Sequence, residues 1–306
     1  MNSANNSSKR IVALIGAGRV ARGLGGCLRE AGWTIGAVVA RTMPSARAAV
    51  RAIRGGTPCV GPTRRVLDAG VLLLAVPDDA LAGVAARLER ACGDDLRRKV
   101  VVHTSGALTS AVLAPLALRG AWTGVMHPMQ SFGARTRPRL DGVLFGIEGH
   151  AEALRAIRKM VRSLGGDAAR VEAARKAEYH CAGTFAAAHV LASLEAGVHL
   201  LTAAGMKRRE ATRALLRLAR QVLDNQELLG PRAAWTGPLS RGDFATIGLH
   251  WESLAHYPPE FRAAYAGMTR LAARLLASEP EAVLARLDST MPAAAVAPSQ
   301  RAVGGV

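Results

Sequence analysis

Lys176 and His180 stand four residues apart in Lys176-Ala-Glu-Tyr179-His180, a spacing that puts both side chains on one face of a helix. The chain has only five lysines among its 306 residues, so an ammonium placed beside a histidine is a notable choice. Next to a reacting carbonyl or imine, such a lysine donates a proton or stabilises the oxyanion that forms as hydride arrives. The bland alternative is a solvated charge at a helix start. His127 opens His127-Pro128-Met129-Gln130-Ser131 and is a candidate acid, base or orienting donor, or else a strand-end histidine satisfied by backbone. In His103-Thr104-Ser105-Gly106, the Ser105 hydroxyl, with the Gly106 backbone beside it, suits a substrate carboxylate or the nicotinamide amide, with Gln130 a further polar contact; His103, ahead of that turn, reads as structural. Arg241, in Thr236-Gly-Pro-Leu-Ser-Arg-Gly-Asp243, carries the fork geometry that clamps a carboxylate, while Asp243 reads as the N-cap of the next helix.

These groups need a scaffold, and Ile11-Val-Ala-Leu-Ile-Gly16-Ala17-Gly18-Arg19-Val20-Ala21 supplies its signature. An apolar strand runs into G-x-G-x-x-A at the start of a helix, the order required of a dinucleotide-binding turn. Gly16 makes the tight turn, Gly18 lets backbone approach a pyrophosphate, and the free N–H groups from Ala17 to Val20 face the phosphates. The second strand, Trp33 to Ala40, ends in Arg41-Thr42-Met43-Pro44-Ser45, where NAD-binding chains carry an acid on the ribose. Arg41 instead suits the 2′-phosphate of NADP, with Thr42 and Ser45 as hydroxyl donors, so NADP is expected over NAD. Val76, Pro77 and Thr104, at the ends of later strands, are expected along the same cofactor edge.

The rest of the first domain alternates strands and helices. Strands are expected near 57–60, 71–76, 99–102, 121–126, 143–147 and 169–172, with helices over 46–54, 78–91, 111–118 and 151–164, and Asp78 in an N-cap region. That alternation means a doubly wound parallel sheet, and its polar strand ends face one crevice. From Ala173 onward the pattern is helical: 174–204, 208–229, 243–255 and 260–277. The fold class is therefore α/β, a Rossmann-type sheet over 10–172 followed by an all-α domain over 173–290, with loose tails at 1–9 and 291–306. The 174–204 helix is too apolar for one small domain to cover, which points to a homodimer through the helical domain.

Composition narrows the function classes. The formal net charge is +17, yet the 35 arginines are scattered singly and aromatics make up 4%, so the basic surface reads as solvated and nucleic acid is not expected. Cys27, Cys59, Cys92 and Cys181 have no C-x-x-C spacing, so neither a metal site nor a disulfide framework is indicated; buried thiols in a reducing cytoplasm fit better. The start lacks the apolar core of a signal peptide and no run is read as long enough to span a membrane, so the expected location is cytoplasmic.

Together GAGRVA, HTSGAL (103–108), HPMQSF (127–132), KAEYHCAG (176–183) and TGPLSRGD (236–243) resemble bacterial Rossmann-like proteins that carry a C-terminal domain of unknown function 2520. The resemblance covers about Arg10 to Leu287. It implies kinship with ketopantoate reductases, 3-hydroxyisobutyrate dehydrogenases and pyrroline-5-carboxylate reductases, and hence a nicotinamide cofactor and dimerisation through helices. In the hydroxy-acid branches a lysine starts the long helix and an asparagine follows four residues later; Lys176 matches, but His180 replaces the asparagine. The expected activity is NADP-dependent hydride transfer to or from a small carboxylate-bearing keto or hydroxy compound. Alternatives are reduction of a C=N bond, or a non-catalytic NADP-binding sensor or scaffold.

Overall fold

A computed structural model describes residues 10–61, 63–133 and 138–292. The tail expected at 1–9 and nearly all of that expected at 291–306 lie outside the described residues. Backbone contacts divide the chain into two compact units, between His189 and Val190.

The first unit is an eight-stranded sheet. Its strands are β1 (Ile11–Ile15), β2 (Thr34–Ala40), β3 (Thr57–Val60), β4 (Val71–Leu74), β5 (Val100–His103), β6 (Trp122–Pro128), β7 (Leu144–Gly149) and β8 (Asp167–Arg170), in spatial order β3-β2-β1-β4-β5-β6-β7-β8. Helices α1 (Arg19–Glu30), α2 (Met43–Ile53), α3 (Asp78–Cys92), α4 (Ala114–Leu118) and α5 (Ala151–Ser163) carry the chain between strands. The central strands are apolar on both faces because both faces are covered. Val12 and Leu14 of β1 join Leu24, Leu28, Ile53 and Ile157 in one layer, whereas Ala13 and Ile15 join Leu81, Leu88 and Leu113 in the other. Each fully buried leucine contributes roughly 1.5–3 kcal/mol, so the two layers fix which way every strand faces.

One strand departs from the parallel expectation. β7 runs antiparallel to β6, pairing His127 with Gly146 and Pro128 with Phe145. The chain between them, from 129 to 143, includes no helix among its described residues, and a parallel return needs a crossover of about a dozen residues, usually helical. The helix expected at 111–118 is a 3₁₀ turn over Ser110–Leu113 followed by α4, with Pro115 in the first turn of α4.

Helix α6 (Lys176–Thr184), a π-helical segment at Phe185–His189 and α7 (Val190–Ala203) form one long helical stretch; α6 falls in the first unit and α7 in the second. The second unit continues with α8 (Arg208–Leu229), α9 (Pro231–Ala234), α10 (Phe244–Ser253), α11 (Pro259–Leu276) and α12 (Pro280–Thr290). Asp243 caps α10, its carboxylate accepting the Thr246 N–H at 3.1 Å and hydroxyl at 2.7 Å. The helical pattern expected to end at 277 continues in α12, whose proline stands in the first turn of the helix and follows the break at Ala277.

The second unit has a small core, Ile247, Ala273, Leu287 and Met291, with Phe244, Trp251 and Tyr265 packed on it. α8 buries only Ala211, while Leu216, Leu218, Val222, Leu223, Leu228 and Leu229 are exposed. The stretch Ala173–Ala203 reaches a mean hydropathy of 1.3 over 18 residues with 6% of that window buried, so by length and composition it is long and apolar enough to cross a membrane, contrary to the expectation that no run is. Glu195 in it is ion-paired to Arg208 at 2.5 Å. Among the cysteines, Cys59 and Cys92 are buried but Cys181 is exposed.

Candidate functional site

The glycine turn sits where the order of strands reverses, between the carboxyl ends of β1 and β4. Gly16 has φ 127° and donates to the Val39 carbonyl at 2.9 Å. A Cβ there would lie 2.2 Å from the Ala75 carbonyl oxygen, so no other residue fits. Gly18 is exposed and a Cβ on it would meet nothing within 4 Å. It is the N-cap of α1, with no side-chain cap and no acid in the first turn, which leaves the helix N–H groups of Arg19, Val20 and their neighbours to an anion. Ala17 and Val20 are half-buried and Arg19 is exposed. Val76 lies 3.4 Å from the position a Gly16 Cβ would take. This cradle fits a pyrophosphate, by the space at Gly18 and the unspent donors alike.

At the end of β2, Arg41 is exposed and forms no ion pair among the described residues. Thr42 and Ser45 cap α2: the Thr42 oxygen accepts the Ser45 N–H at 3.4 Å and its hydroxyl donates to Ser45 Oγ at 3.0 Å. The Ser45 hydroxyl proton is left for another acceptor.

A second group of polar side chains gathers at the carboxyl ends of β4, β5 and β6. Pro77, not Asp78, occupies the N-cap of α3, and Asp78 makes no capping bond. Its carboxylate accepts the Ser105 hydroxyl proton at 2.8 Å. Ser105 Oγ in turn accepts the N–H groups of Ala107 (3.2 Å) and Leu108 (3.0 Å), so the hydroxyl expected on a substrate carboxylate is satisfied within the protein. Lys176, at the first position of α6, is only 2% exposed and donates to the Ser105 carbonyl at 3.2 Å. Burial lowers its pKa, offset in part by the Glu148 and Asp78 carboxylates. Glu148 on β7 is held by the Ser110 N–H (2.7 Å) and hydroxyl (2.6 Å). Thr104 donates its N–H to the Leu74 carbonyl at 3.1 Å.

His127 stands within this group. Its Nδ1 is 2.9 Å from the Tyr179 hydroxyl, and its ring meets the rings of Tyr179 and His180 edge-on, with centroids 5.4 and 5.8 Å apart. Burial, then the Lys176 charge and the His180 ring, push its pKa down to about 4, so it is neutral at pH 7. Gly106 lies against both histidines: a Cβ on it would fall 2.4 Å from His180 Cδ2 and 2.9 Å from His127 Nε2. His103 is fully buried, donates from Nε2 to the Thr109 carbonyl (3.1 Å) and accepts the Ser105 N–H at Nδ1 (3.1 Å), as a structural histidine would.

Of the residues singled out in the sequence, Ser105, Gly106, His127, Lys176 and His180 thus come together within the first unit. Gln130 does not: its amide closes its own loop, donating to the Arg139 carbonyl at 3.1 Å and accepting the Ser131 N–H at 2.8 Å. Arg241 is exposed on a 3₁₀ turn in the second unit. Tyr179, Asp78 and Glu148 enter without having been singled out as site groups. Tyr179 carried a usable signal, since a position three beyond Lys176 shares its helix face as surely as one four beyond.

Residues 1–128 match a Rossmann-like domain and residues 143–272 match a Domain of unknown function (DUF2520). The chain joins a Rossmann-like domain to that second domain. No curated protein matches the sequence. Among solved structures, a Bacteroides fragilis protein assigned as an NADP oxidoreductase is similar, with 23% identity and a TM-score of 0.71 over 86% of this chain and 98% of the other. A reductive aminase from Aspergillus terreus in complex with NADPH and ethyl-5-oxohexanoate has 15% identity and a TM-score of 0.63, over 87% and 94%. A pyrroline-5-carboxylate reductase from Coxiella burnetii has 15% identity and a TM-score of 0.58, over 89% and 100%.

The low pKa of His127 has a consequence for stability. Between about pH 4 and 6.5 the unfolded imidazole binds a proton that the folded one does not, so unfolding free energy falls as pH drops through that window. Urea titrations at pH 6.5 and 4.5 are expected to show wild type losing on the order of 2 kcal/mol more than His127→Asn. Equal losses would mean that His127 titrates normally.

Proposed function

We propose that the chain is a cytoplasmic NADP-dependent oxidoreductase that moves a hydride to or from a small carboxylate-bearing keto or hydroxy compound. The observation that carries this reading is the open, uncapped start of α1 at Gly18, at the sheet crevice, with the Lys176–His127 group at neighbouring strand ends. The names of the similar structures, an NADP oxidoreductase and enzymes solved with NADPH, support the choice of cofactor.

In this reading the nicotinamide supplies or accepts the hydride. Backbone N–H groups from Gly16 through Val20 hold the pyrophosphate, and Arg41, with the Thr42 and Ser45 hydroxyls, takes the 2′-phosphate. Val76, Pro77 and Thr104 form the edge beside them. Lys176 has three donors and spends one on the Ser105 carbonyl, so two remain for a developing negative charge, and its lowered pKa makes it the readier proton donor. His127 and His180 border the same place, with the Gly106 backbone between them. Ser105 holds Lys176 and Asp78 in position, which leaves the Gly106 backbone as the proposed carboxylate contact. Reduction of a C=N bond is the second reading, favoured by the likeness to a reductive aminase and a pyrroline-5-carboxylate reductase.

The proposed partner is a second copy of the chain, seated on the apolar faces of α7 and α8. Exposed leucines on one 22-residue helix that buries a single alanine are more than a solvated surface accounts for, and the Glu195–Arg208 pair belongs in water or protein, not in a bilayer.

Calorimetric titration is expected to show NADPH binding more tightly than NADH, with Arg41→Ala weakening NADPH by about 1.5–3 kcal/mol and leaving NADH nearly unchanged. Equal affinities in wild type would refute the cofactor assignment. In a screen of keto acids and cyclic imines followed by loss of NADPH absorbance, Lys176→Ala is expected to turn over about 10²-fold more slowly with NADPH affinity retained. A wild-type rate would reduce Lys176 to a structural cation. Light scattering in detergent-free buffer should give a dimer at micromolar concentration, and Leu223→Arg should yield monomer; a monomeric wild type contradicts the assembly.

A further inference from the structure

Two contacts of one phenol decide the protonation pattern of His127. The Tyr179 hydroxyl lies 2.9 Å from His127 Nδ1 and 3.3 Å from the carbonyl oxygen of the same residue. A phenol has one proton. If it goes to Nδ1, the carbonyl contact holds no hydrogen. If it goes to the carbonyl, Nδ1 must itself carry a proton and donate it to the phenol oxygen, and both contacts become hydrogen bonds. The second assignment makes hydrogen bonds of both contacts, and it leaves Nε2 as a bare lone pair.

Nε2 is not sealed within the fold. Nε2 has no hydrogen-bond partner among the described residues, and it is not one of the sealed, unpartnered atoms, which are Arg29 Nε and an Arg270 terminal nitrogen. It is therefore reached by solvent. Gly106 and the His180 ring border it: a Cβ on Gly106 would fall 2.9 Å from Nε2 and 2.4 Å from His180 Cδ2. The phenol is fixed from two sides. Helix α6 carries Tyr179 three residues beyond the buried Lys176, and the ring rests on Gly146, where a Cβ would come within 2.5 Å of the hydroxyl.

We propose that Tyr179 is a positioning residue that fixes His127 as the Nδ1–H tautomer, so that Nε2 accepts a hydrogen bond and selects ligands presenting an O–H or N–H there. The selected ligand is an alcohol or an amine or iminium nitrogen, not a bare carbonyl oxygen. The ligand half of this rests on reading the His127–Lys176 group as the reaction site; the tautomer does not. With His127 barred from donating, a carbonyl in this group takes its proton from Lys176 or His180. A substrate carbonyl would therefore have to turn its oxygen away from His127, whereas an iminium N–H meets Nε2 directly.

The test is ¹⁵N NMR of the full chain labelled at histidine, at pH 7 and without cofactor, the His127 signals being assigned by their loss in His127→Asn. The expected result is a pyridine-type Nε2 and a protonated Nδ1 in wild type. Tyr179→Phe removes the acceptor for Nδ1–H and is expected to move the proton to Nε2, a change of tautomer that mere loss of packing would not produce. Three probes of one shape then read the ligand half: 2-propanol, isopropylamine and acetone, each at high millimolar concentration. Either donor, but not acetone, should shift the Nε2 signal, and which of the two does so separates the alcohol from the amine. A protonated Nε2 in wild type overturns the proposal, and so does an Nε2 signal that acetone shifts as far as the donors do or that none of the three moves. NADPH titration is read separately: a chain that binds NADPH yet shows Nε2–H keeps the proposed function and loses this inference.

Discussion

An ammonium held out of water at the first position of a helix sets the terms for everything around it. Lys176 is 2% exposed, donates to the Ser105 carbonyl and lies over the Tyr179 ring, and neither contact carries a negative charge, so the cost of burying its own must be met by charge nearby. Asp78 and Glu148 supply it from two different strand ends, each pinned by a serine: Asp78 by the Ser105 hydroxyl, Glu148 by Ser110. The same ammonium, with burial, keeps His127 neutral. A single buried cation therefore joins α6 to the turn after β5, draws compensating charge from two carboxylates, and adds to the burial that keeps the ring beside it neutral.

This knot can exist only at the carboxyl ends of the strands. Along β4 and β5 every side chain is buried against one helix layer or the other, and a polar group within either strand would have to find its partners inside those layers, as His103 does with its own turn. Where the strands stop, the chain is released from that constraint and polar side chains can face one another. The antiparallel β7 adds what a purely parallel sheet would lack here: it brings Glu148 beside the end of β5 and places Gly146 opposite His127.

The scaffold was legible because its signals are local and strong. An apolar strand followed by G-x-G-x-x-A fixes strand, turn and helix within a short stretch, and an amphipathic helix such as 208–229 declares its ends by its own periodicity. The direction of β7 was less accessible, since a short apolar run looks the same in either orientation; the missing crossover helix was the only clue. From its place after a strand Asp78 reads as an N-cap, but Pro77 fills that position and leaves the carboxylate free for Ser105. The change of composition at Ala173 does not mark where backbone contacts divide the chain, because α6 is helical in pattern yet bound by Lys176 and Tyr179 to the sheet.

What no local pattern could supply is the reason for two glycines far apart in sequence. Gly106 was read as a backbone contact for a ligand; in the fold it is also the only residue that leaves room for the rings of His127 and His180. Gly146 is a glycine in the middle of a strand, where it weakens the strand. Its side of the sheet is where the Tyr179 hydroxyl rests, and a methyl group there would push the phenol from the 2.9 Å contact it makes with His127. The site's chemistry thus depends on side chains that are absent as much as on those present. A glycine with no turn to make, opposite a histidine in the next strand, is the pattern that would have pointed to the missing aromatic.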